Sequence, residues 1–175
     1  MPDNGHLPPT RDAIEIRKAR PSDIGALASL EQCAFTTDRL SRRRFSALLR
    51  SPSAHMRVAL RKGALTGYAL VLTRAGSRTA RLYSIAVAAG EGRRGIGALL
   101  LAAAEATAAA AGAESLKLEV RAENRAAVRL YETAGYRQRG HRPGYYEDGM
   151  TALLYSRDLT ERAGNPTAVP SGHAA

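Results

Sequence analysis

Two ionisable side chains in the second half of the chain could move protons, and the first of them is Glu119. The segment Ser115–Arg121 alternates apolar and charged residues, which predicts a β-strand. One face carries Leu116, Leu118 and Val120, and the other carries Lys117, Glu119 and Arg121. A carboxylate in mid-strand is costly to bury unless it is paired or used, for example as a general base. The alternative is a salt bridge with Lys117 or Arg121 on an exposed face, and the pattern alone leaves both open.

The second such side chain is Tyr131, which lies in a segment with helical periodicity. Asn124 is placed to cap this helix, and Gly135 follows its end. The apolar side chains share one face: Ala127, Val128, Leu130, Tyr131 and Ala134. A phenol on that face could protonate a leaving thiolate. The alternative, which the pattern alone favours, is a core tyrosine whose hydroxyl reaches the surface.

Upstream of both lies a glycine-rich turn that could hold a phosphate group. It runs Gly92-Arg93-Arg94-Gly95-Ile96-Gly97-Ala98, between a predicted strand and a long predicted helix. A helix N-terminus leaves backbone N–H groups unpaired, and glycines let the backbone approach an anion. The alternative is a set of glycines for a tight turn only. A Rossmann dinucleotide site is disfavoured because the turn follows the fourth predicted strand, and a P-loop is excluded because Gly-Lys-Ser/Thr is absent.

The elements that must position these residues form a mixed α/β pattern. Strands are predicted over 14–17, 56–60, 65–73, 79–87, 116–121, 136–142 and 150–157, the second to fourth as an antiparallel meander. Helices are predicted to begin near Pro21, Ser41, Ile96 and Asn124. The order β-α-α-β-β-β-α-β-α-β-β predicts a mostly antiparallel sheet flanked by helices on both faces, in one domain over residues 13–160. Residues 1–12 and 161–175 are predicted to be disordered tails.

The charge of the chain favours an anionic partner. Among 175 residues, 26 are basic and 16 are acidic, which gives a formal net charge of +10. Nucleic acid and a phosphate-rich cofactor are both candidates. Nucleic acid is the weaker candidate, because the arginines are scattered and aromatic residues make up only 5% of the chain. Compositional bias is the alternative, because nearly all of the positive charge is arginine. The run Arg42–Arg44 is interpreted as a solvated helix face.

Other residue types narrow the possibilities. Cys33 is the only cysteine, so no intrachain disulfide is possible, and a cytoplasmic location is expected. Its place in the first helix, with Ala34 and Phe35, predicts a small buried side chain. No run of about 18 apolar residues predicts a membrane span. The four histidines show no metal-ligand spacing, so no metal is expected, and no residue is a good candidate for covalent catalysis.

Two stretches of the chain resemble the GNAT superfamily of N-acetyltransferases. Tyr83-Ser84-Ile85-Ala86-Val87, followed by Arg93-Arg94-Gly95-Ile96-Gly97-Ala98, resembles the acyl-CoA signature, whose turn reads Arg/Gln-x-x-Gly-x-Gly/Ala. The family's Arg/Gln position falls on Gly92 here. Residues 118–136 match the pattern Leu-Glu-Val-Arg-x-x-Asn-x-x-Ala-x-x-Leu-Tyr-x-x-x-Gly-Phe/Tyr of the ribosomal-protein-alanine N-acetyltransferase branch.

The resemblance implies acetyl-CoA as the acyl donor and a role for each matching residue. Backbone N–H groups from Arg93 to Ala98 would bind the pyrophosphate, and the strand edge at Ile85, Ala86 and Val87 would pair with the pantetheine arm. Glu119 would be the general base, Tyr131 the general acid, and Asn124 a ligand of the pantetheine arm. These roles are implied by the family pattern, and the spacing alone does not establish them.

The resemblance implies a protein N-terminal amine as the acceptor. Tyr145-Tyr146 and Asp148-Gly149 are similar to elements near the peptide-binding cleft of that branch. The chain departs from the branch after Gly149 and after Phe35, both in substrate-facing regions. A small amine or a lysine side chain therefore stays an alternative acceptor. A basic nucleic-acid-binding protein on the same scaffold is the alternative of another class.

Overall fold

Seven segments of the chain pair as strands of one sheet. The structure is a computed structural model that describes residues 13–160. The strands are β1 (Ile14–Lys18), β2 (Ala54–Arg61), β3 (Ala64–Leu72), β4 (Thr79–Val87), β5 (Ser115–Arg121), β6 (Arg137–Arg142) and β7 (Ala152–Asp158). The helices are α1 (Ile24–Ala34), α2 (Arg42–Arg50), α3 (Ile96–Ala110) and α4 (Arg125–Thr133). The predicted order of elements is confirmed, while several strand ends differ from prediction by one or two residues.

The sheet is antiparallel except at one pair of strands. Its order is β1-β2-β3-β4-β5-β7-β6, and only β4 and β5 run parallel. The predicted meander of β2, β3 and β4 is confirmed by two antiparallel ladders. The parallel pair requires a crossover, which α3 supplies. The glycine-rich turn therefore lies directly beyond the end of β4, at the centre of the sheet.

Helices cover both faces of the sheet, which confirms the predicted fold class. On one face, α3 and Tyr131 of α4 pack on apolar side chains of β5, including Leu116 and Leu118. On the other face, α1 and α2 pack on β2, β3 and β4 through residues such as Phe45. The alternation predicted for β5 is confirmed, because Leu116, Leu118 and Val120 are buried while Lys117 is exposed.

One side chain predicted to be buried is not, and two other apolar side chains of the helices are also exposed. Cys33 is exposed, because α1 turns the face of Leu27 and Leu30 toward the sheet and Cys33 lies beside that face. Ala34 is also exposed, since it is the last residue of α1 and extends past the packed layer. Leu99 is 44% exposed, because the buried face of α3 follows Ile96, Leu100, Leu101 and Ala104.

The ends of the helices follow the predicted caps. The Ser41 hydroxyl accepts a hydrogen bond from the Arg44 N–H at 3.1 Å, and α2 exposes Arg42, Arg43 and Arg44.

The predicted tails, 1–12 and 161–175, lie outside the described residues. Within residues 13–160, no helix is long and apolar enough to cross a bilayer.

Candidate active site

The two central strands separate partway along their length. The register of β4 and β5 runs from Thr79 opposite Ser115 to Leu82 opposite Leu118, and then ends. Beyond that point β4 stays paired with β3, and β5 stays paired with β7. A wedge-shaped opening therefore forms at the centre of the sheet, between the last residues of the two strands.

One edge of β4 faces this opening with its backbone groups. The Ala88 N–H donates to the Thr66 carbonyl at 2.8 Å, next to the β3–β4 ladder. Antiparallel pairing alternates, so Ala86 also directs its backbone groups toward β3, while Ile85 and Val87 direct theirs away from it. No strand of residues 13–160 pairs with that second edge. The geometry is suited to an extended ligand that pairs with Ile85 and Val87. Ala86, which was predicted together with them, directs its backbone groups toward β3 instead, and ligand binding at this edge stays a prediction.

A β-bulge in β4 decides which side chains face the opening. Leu70 pairs with Ser84, but Val71 pairs with Leu82, so Tyr83 is an extra residue. The bulge shifts the alternation of side chains by one position. As a result Leu82 packs with the α3 layer, whereas Ser84 lies on the α1 side of the sheet, where it contacts Tyr68. Both residues line the cavity.

The cavity in the opening has a volume of about 450 Å³. It is lined by residues of α1 and the loop after it, of β4, of β5, of α4, and of the loop between β6 and β7. Four residues predicted for the site line it together: Glu119, Asn124, Tyr131 and one of the β4 residues, Ile85. Tyr145 and Tyr146 line it as well, with their rings edge to face at 5.1 Å.

The glycine-rich turn presents a row of unpaired N–H groups. A short 3₁₀ turn at Gly92–Arg94 precedes α3, and the first backbone bond into the helix is donated by the Leu99 N–H to Gly95 at 3.0 Å. The N–H groups of Gly95, Ile96, Gly97 and Ala98 donate to no group among the described residues. No side chain caps them, so they are free to bind an anion.

The glycines of this turn have different reasons for being glycine. Gly95 has φ +74°, a left-handed conformation that disfavours any side chain. At Gly97 a Cβ atom would lie 3.3 Å from Leu130, so this glycine allows α4 to pack against the start of α3. Neither reason applies to Gly92, where a Cβ would meet nothing within 4 Å. The backbone therefore accommodates the Arg or Gln that the family pattern has at Gly92.

The arginines of the turn are exposed. Arg94 forms an ion pair with Glu91 at 3.1 Å, and Glu91 is also paired with Arg61 at 2.6 Å. Arg93 is exposed beside the row of N–H groups. Both guanidiniums add positive charge where the helix already carries a partial positive charge.

Glu119 is paired, but with a residue that the sequence pattern did not indicate. Its side chain is 14% exposed, and its carboxylate accepts a hydrogen bond from Arg81 Nε at 2.9 Å. The predicted alternatives, Lys117 and Arg121, were wrong as partners. The reason is the parallel register, which sets Arg81 of β4 opposite Lys117 and therefore diagonal to Glu119 on the same face. Pairings between distant segments leave no signal in a single strand's pattern.

Tyr131 is buried, and its hydroxyl forms no hydrogen bond with the described residues. The residue is 4% exposed and packs beside Tyr136 with ring centroids 5.7 Å apart. The described residues offer its hydroxyl no hydrogen bond, although Tyr131 lines the cavity. Burial, aided by Tyr146 nearby, raises the pKa of Tyr131 well above that of a free phenol. The phenol therefore stays protonated at neutral pH and can act as a proton donor.

Asn124 caps α4, as predicted. Its side-chain oxygen accepts a hydrogen bond from the Ala127 N–H at 3.1 Å. The oxygen is thereby committed to the helix, and the amide NH₂ is the part of Asn124 that remains to bind a ligand. Whether it contacts pantetheine stays a prediction.

Arg121 joins two loops at the mouth of the cavity, a role that the sequence reasoning missed. Its guanidinium donates to Thr37 Oγ1 at 2.6 Å, in the loop after α1, and to Asp148 at 2.7 Å, in the loop between β6 and β7. It also lies 4.0 Å from the ring centroid of Tyr146. Cation–π contact and charged hydrogen bonds together hold both loops against β5.

A buried polar chain under the cavity was also missed. Glu31 of α1 is 2% exposed, and its carboxylate accepts hydrogen bonds from the Tyr68 hydroxyl at 2.5 Å and the Leu40 N–H at 2.9 Å. Tyr68 in turn lies 2.7 Å from Ser84 Oγ. The sequence feature that could have indicated this chain is a carboxylate on the apolar face of α1.

In residues 13–160, no group of three or more His, Cys, Asp and Glu side chains is arranged to hold a metal ion.

The chain matches a family model and several known proteins. Residues 24–136 match the model of the acetyltransferase (GNAT) family. A putative ribosomal protein bS18-alanine N-acetyltransferase from Bacillus subtilis is 30% identical over 143 residues, covering 79% of this chain and 91% of the relative.

Solved structures show the same architecture. Ard1 from Thermoplasma volcanium superposes with a TM-score of 0.75 at 28% identity, over 83% of this chain and 97% of that one. The ribosomal-protein-S18-alanine N-acetyltransferase from Escherichia coli also has a TM-score of 0.75, at 26% identity, over 90% of this chain and 100% of that one. The chain therefore belongs to the GNAT family and is an acetyl-CoA-dependent N-acetyltransferase.

Proposed function

We propose that the chain moves the acetyl group of acetyl-CoA directly to the N-terminal amine of a protein or peptide. One observation carries the proposal: Glu119 and Tyr131 line the same cavity from opposite faces of the sheet, at the point where β4 and β5 separate. A proton acceptor and a proton donor thus flank the space where a thioester and an amine can meet. Holding both in attack geometry supplies much of the rate.

The donor is expected to bind along two features of the backbone. The free N–H groups of Gly95, Ile96, Gly97 and Ala98 suit the pyrophosphate, with charge added by Arg93 and Arg94. The outward edge of β4 at Ile85 and Val87 suits the amides of the pantetheine arm. The Asn124 NH₂ group, whose neighbouring oxygen caps α4, is expected to donate to the same arm.

Three groups are assigned to the steps of transfer: a side chain removes a proton from the amine, a backbone N–H polarises the carbonyl, and a second side chain protonates the thiolate. Glu119, directly or through a water, takes the proton of the incoming ammonium, and the amine then forms a bond to the thioester carbon. A backbone N–H of β4 near Ile85 polarises the carbonyl oxygen. As the bond from carbon to sulfur breaks, Tyr131 gives its proton to the CoA thiolate. The second proton that the nitrogen must lose passes through solvent to the tyrosinate and restores the phenol. No acyl-enzyme is required.

The acceptor is argued from the relatives and from the mouth of the cavity. Two of the relatives are named for acetylation of an alanine of a ribosomal protein. Around the mouth, Tyr145, Tyr146 and the Arg121 contacts form a rim from two loops, which suits a peptide end that enters from solvent. Membership in an acetyltransferase family favours the enzyme over the alternative of a nucleic-acid-binding protein.

Mass spectrometry of an amine panel after incubation with acetyl-CoA tests the acceptor. The panel holds a peptide beginning with Ala from the N-terminus of a small ribosomal protein, the same peptide with a blocked N-terminus and an internal lysine, and a small diamine. We expect acetylation of the first peptide only. Acetylation of the blocked peptide or of the diamine instead would replace the proposed acceptor by a lysine side chain or a small amine.

A further inference from the structure

Glu31 is a buried carboxylate that the proposed transfer does not use. It lies on the inward face of α1 and reaches the wall of the cavity. Both of its hydrogen-bond donors are neutral, the Tyr68 hydroxyl and the Leu40 N–H. Burying a carboxylate is costly unless the charge is compensated. Within residues 13–160 no lysine or arginine forms an ion pair with it, and the charge of Arg39 compensates its charge only in part.

Glu31, Tyr68 and Ser84 form a chain of hydrogen bonds in which each hydrogen points toward Glu31. An ionised carboxylate only accepts, so the single Tyr68 hydrogen points to Glu31, and the 2.5 Å separation is typical of an O–H···O⁻ bond. Tyr68 can then only accept from Ser84, 2.7 Å away. With its hydrogen directed inward, Ser84 Oγ offers only lone pairs to the cavity. Bonds in such a chain polarise one another, so Ser84 becomes a stronger acceptor.

The bulge at Tyr83 is what brings Ser84 to the face of the sheet that carries Arg81 and Glu119. Without it, Ser84 would fall on the α3 face with Leu82, since alternate residues share a face. With it, Ser84 lies on the same face of the sheet as Arg81 and Glu119, and all three line the cavity. An acceptor backed by a buried negative charge therefore lies across the opening from the expected general base.

We propose that Ser84 accepts a hydrogen bond from the ammonium group of the acceptor, and that Tyr68 and Glu31 are positioning residues that hold Ser84 in this orientation. An ammonium has three N–H groups. One is directed to Glu119 for proton removal, and Ser84 accepts a second, which adds to the binding of the ammonium before transfer. The inference rests on the proposed chemistry at Glu119 but holds for any amine that the wild type acetylates.

Steady-state kinetics of Ser84→Ala and Glu31→Gln test the proposal, using whichever amine of the panel the wild type acetylates. Ser84→Ala removes the acceptor. Glu31→Gln puts an amide donor beside Tyr68, which reverses the chain and turns the Ser84 hydrogen toward the ammonium. We expect both to raise the KM for the amine about tenfold, as for a lost hydrogen bond to a charged group, with kcat and the KM for acetyl-CoA nearly unchanged. Ser29→Ala, an exposed serine of α1, is the matched control.

Three results would overturn the inference. The first is an unchanged amine KM in either variant. The second is a parallel rise of both KM values with a lower Tm, which indicates a purely structural network. The third is spectroscopic and needs no amine. The infrared difference spectrum between wild type and Glu31→Gln at neutral pH should contain carboxylate bands. A protonated carboxyl band in their place would mean that the hydrogen bonds from Glu31 through Tyr68 to Ser84 point the other way. A wild type that acetylates only a small amine would refute the proposed acceptor while leaving this test in force.

Discussion

Arg81 joins the expected general base to the mouth of the cavity. Its Nε atom donates to the Glu119 carboxylate at 2.9 Å, and its Nη2 atom donates to the Tyr145 hydroxyl at 2.8 Å. Burial lowers the pKa of Arg81, but the charge and the hydrogen bond of Glu119 outweigh burial, and the net pKa is raised. The guanidinium therefore stays charged and holds the carboxylate and the loop tyrosine in fixed positions.

Replacing Arg81 should slow the chemistry without weakening donor binding. In Arg81→Gln the Glu119 carboxylate loses the group that orients it, and we expect kcat to fall about tenfold while the KM for acetyl-CoA stays constant. Arg81→Lys keeps a charge but cannot bridge Glu119 and Tyr145, so its kcat should be intermediate. Initial-rate kinetics with both substrates varied measure this, and a wild-type kcat in Arg81→Gln would show that Glu119 is positioned by other contacts.

Substitution of either expected proton-transfer residue should lower kcat far more than substitution of a neighbouring residue. We expect Glu119→Gln and Tyr131→Phe each to lower kcat about a hundredfold, as for loss of a general base or acid. Because the Tyr131 hydroxyl has no hydrogen bond within the described part of the chain, removing it should leave the Tm close to wild type. Pre-steady-state or steady-state rates and a thermal melt measure both effects.

Tyr136→Phe is the matched control for Tyr131→Phe. Tyr136 is a buried neighbour whose hydroxyl forms no close hydrogen bond but interacts with Glu105, and it does not line the cavity. Its kcat should equal that of wild type. If both tyrosine variants lose the same activity, the loss comes from packing, and Tyr131 is not the general acid.

Gly95 should be the glycine of the turn that tolerates substitution least. Its φ of +74° would strain an alanine by about 1–2 kcal/mol, and relief of that strain would displace the N–H groups of Ile96 and Gly97. We expect Gly95→Ala to weaken CoA binding, measured by calorimetry. Gly92→Ala is the control, since a Cβ there has open space, and CoA affinity should be unchanged. Equal affinities in the two variants would contradict pyrophosphate binding by these N–H groups.

Removing the Arg121 contacts should loosen the mouth of the cavity. In Arg121→Met both the Thr37 bond and the Asp148 ion pair are lost, so the two loops are no longer tied to β5. We expect a rise in the KM for the acceptor with little change in the KM for acetyl-CoA. Arg121→Lys should recover part of the acceptor affinity through Asp148 alone. Faster hydrogen exchange in both loops would accompany the loss, and unchanged exchange would contradict it.

Glu31 predicts a particular pH dependence of stability. Burial raises the pKa of its carboxyl, although hydrogen bonds from Tyr68 and the Leu40 N–H and the charge of Arg39 oppose this. The folded protein then binds this proton more tightly than the unfolded chain does. The contribution to stability is full below the ordinary glutamate pKa and is lost as pH rises through the raised value. Urea unfolding across this interval should show the wild type losing free energy of unfolding relative to Glu31→Gln as pH rises, and a flat or opposite trend would contradict this.

Local patterns in the sequence determined the elements and most of the residues of the site. Period-two alternation predicted β5 and placed Glu119 on the face opposite Leu118, and helical spacing placed Tyr131 inward on α4. Such patterns involve only a few neighbouring residues, so they predict the element regardless of what it packs against. The caps at Ser41 and Asn124 are local in the same sense. The family pattern then supplied the order of motifs that pointed to acetyl-CoA.

Only the tertiary structure decided which side chains meet. Arg81 reaches Glu119 because β4 and β5 pair in parallel, and Ser84 faces the cavity because one extra residue in β4 shifts the alternation. Arg121 contacts two loops more than 25 residues away on either side, as in its bond to Asp148 at a separation of 27. The registers of strands and the closure of loops depend on the sum of packing contacts over the whole sheet. No single segment of the sequence encodes that sum, so these partners could be found only after the sheet had been assembled.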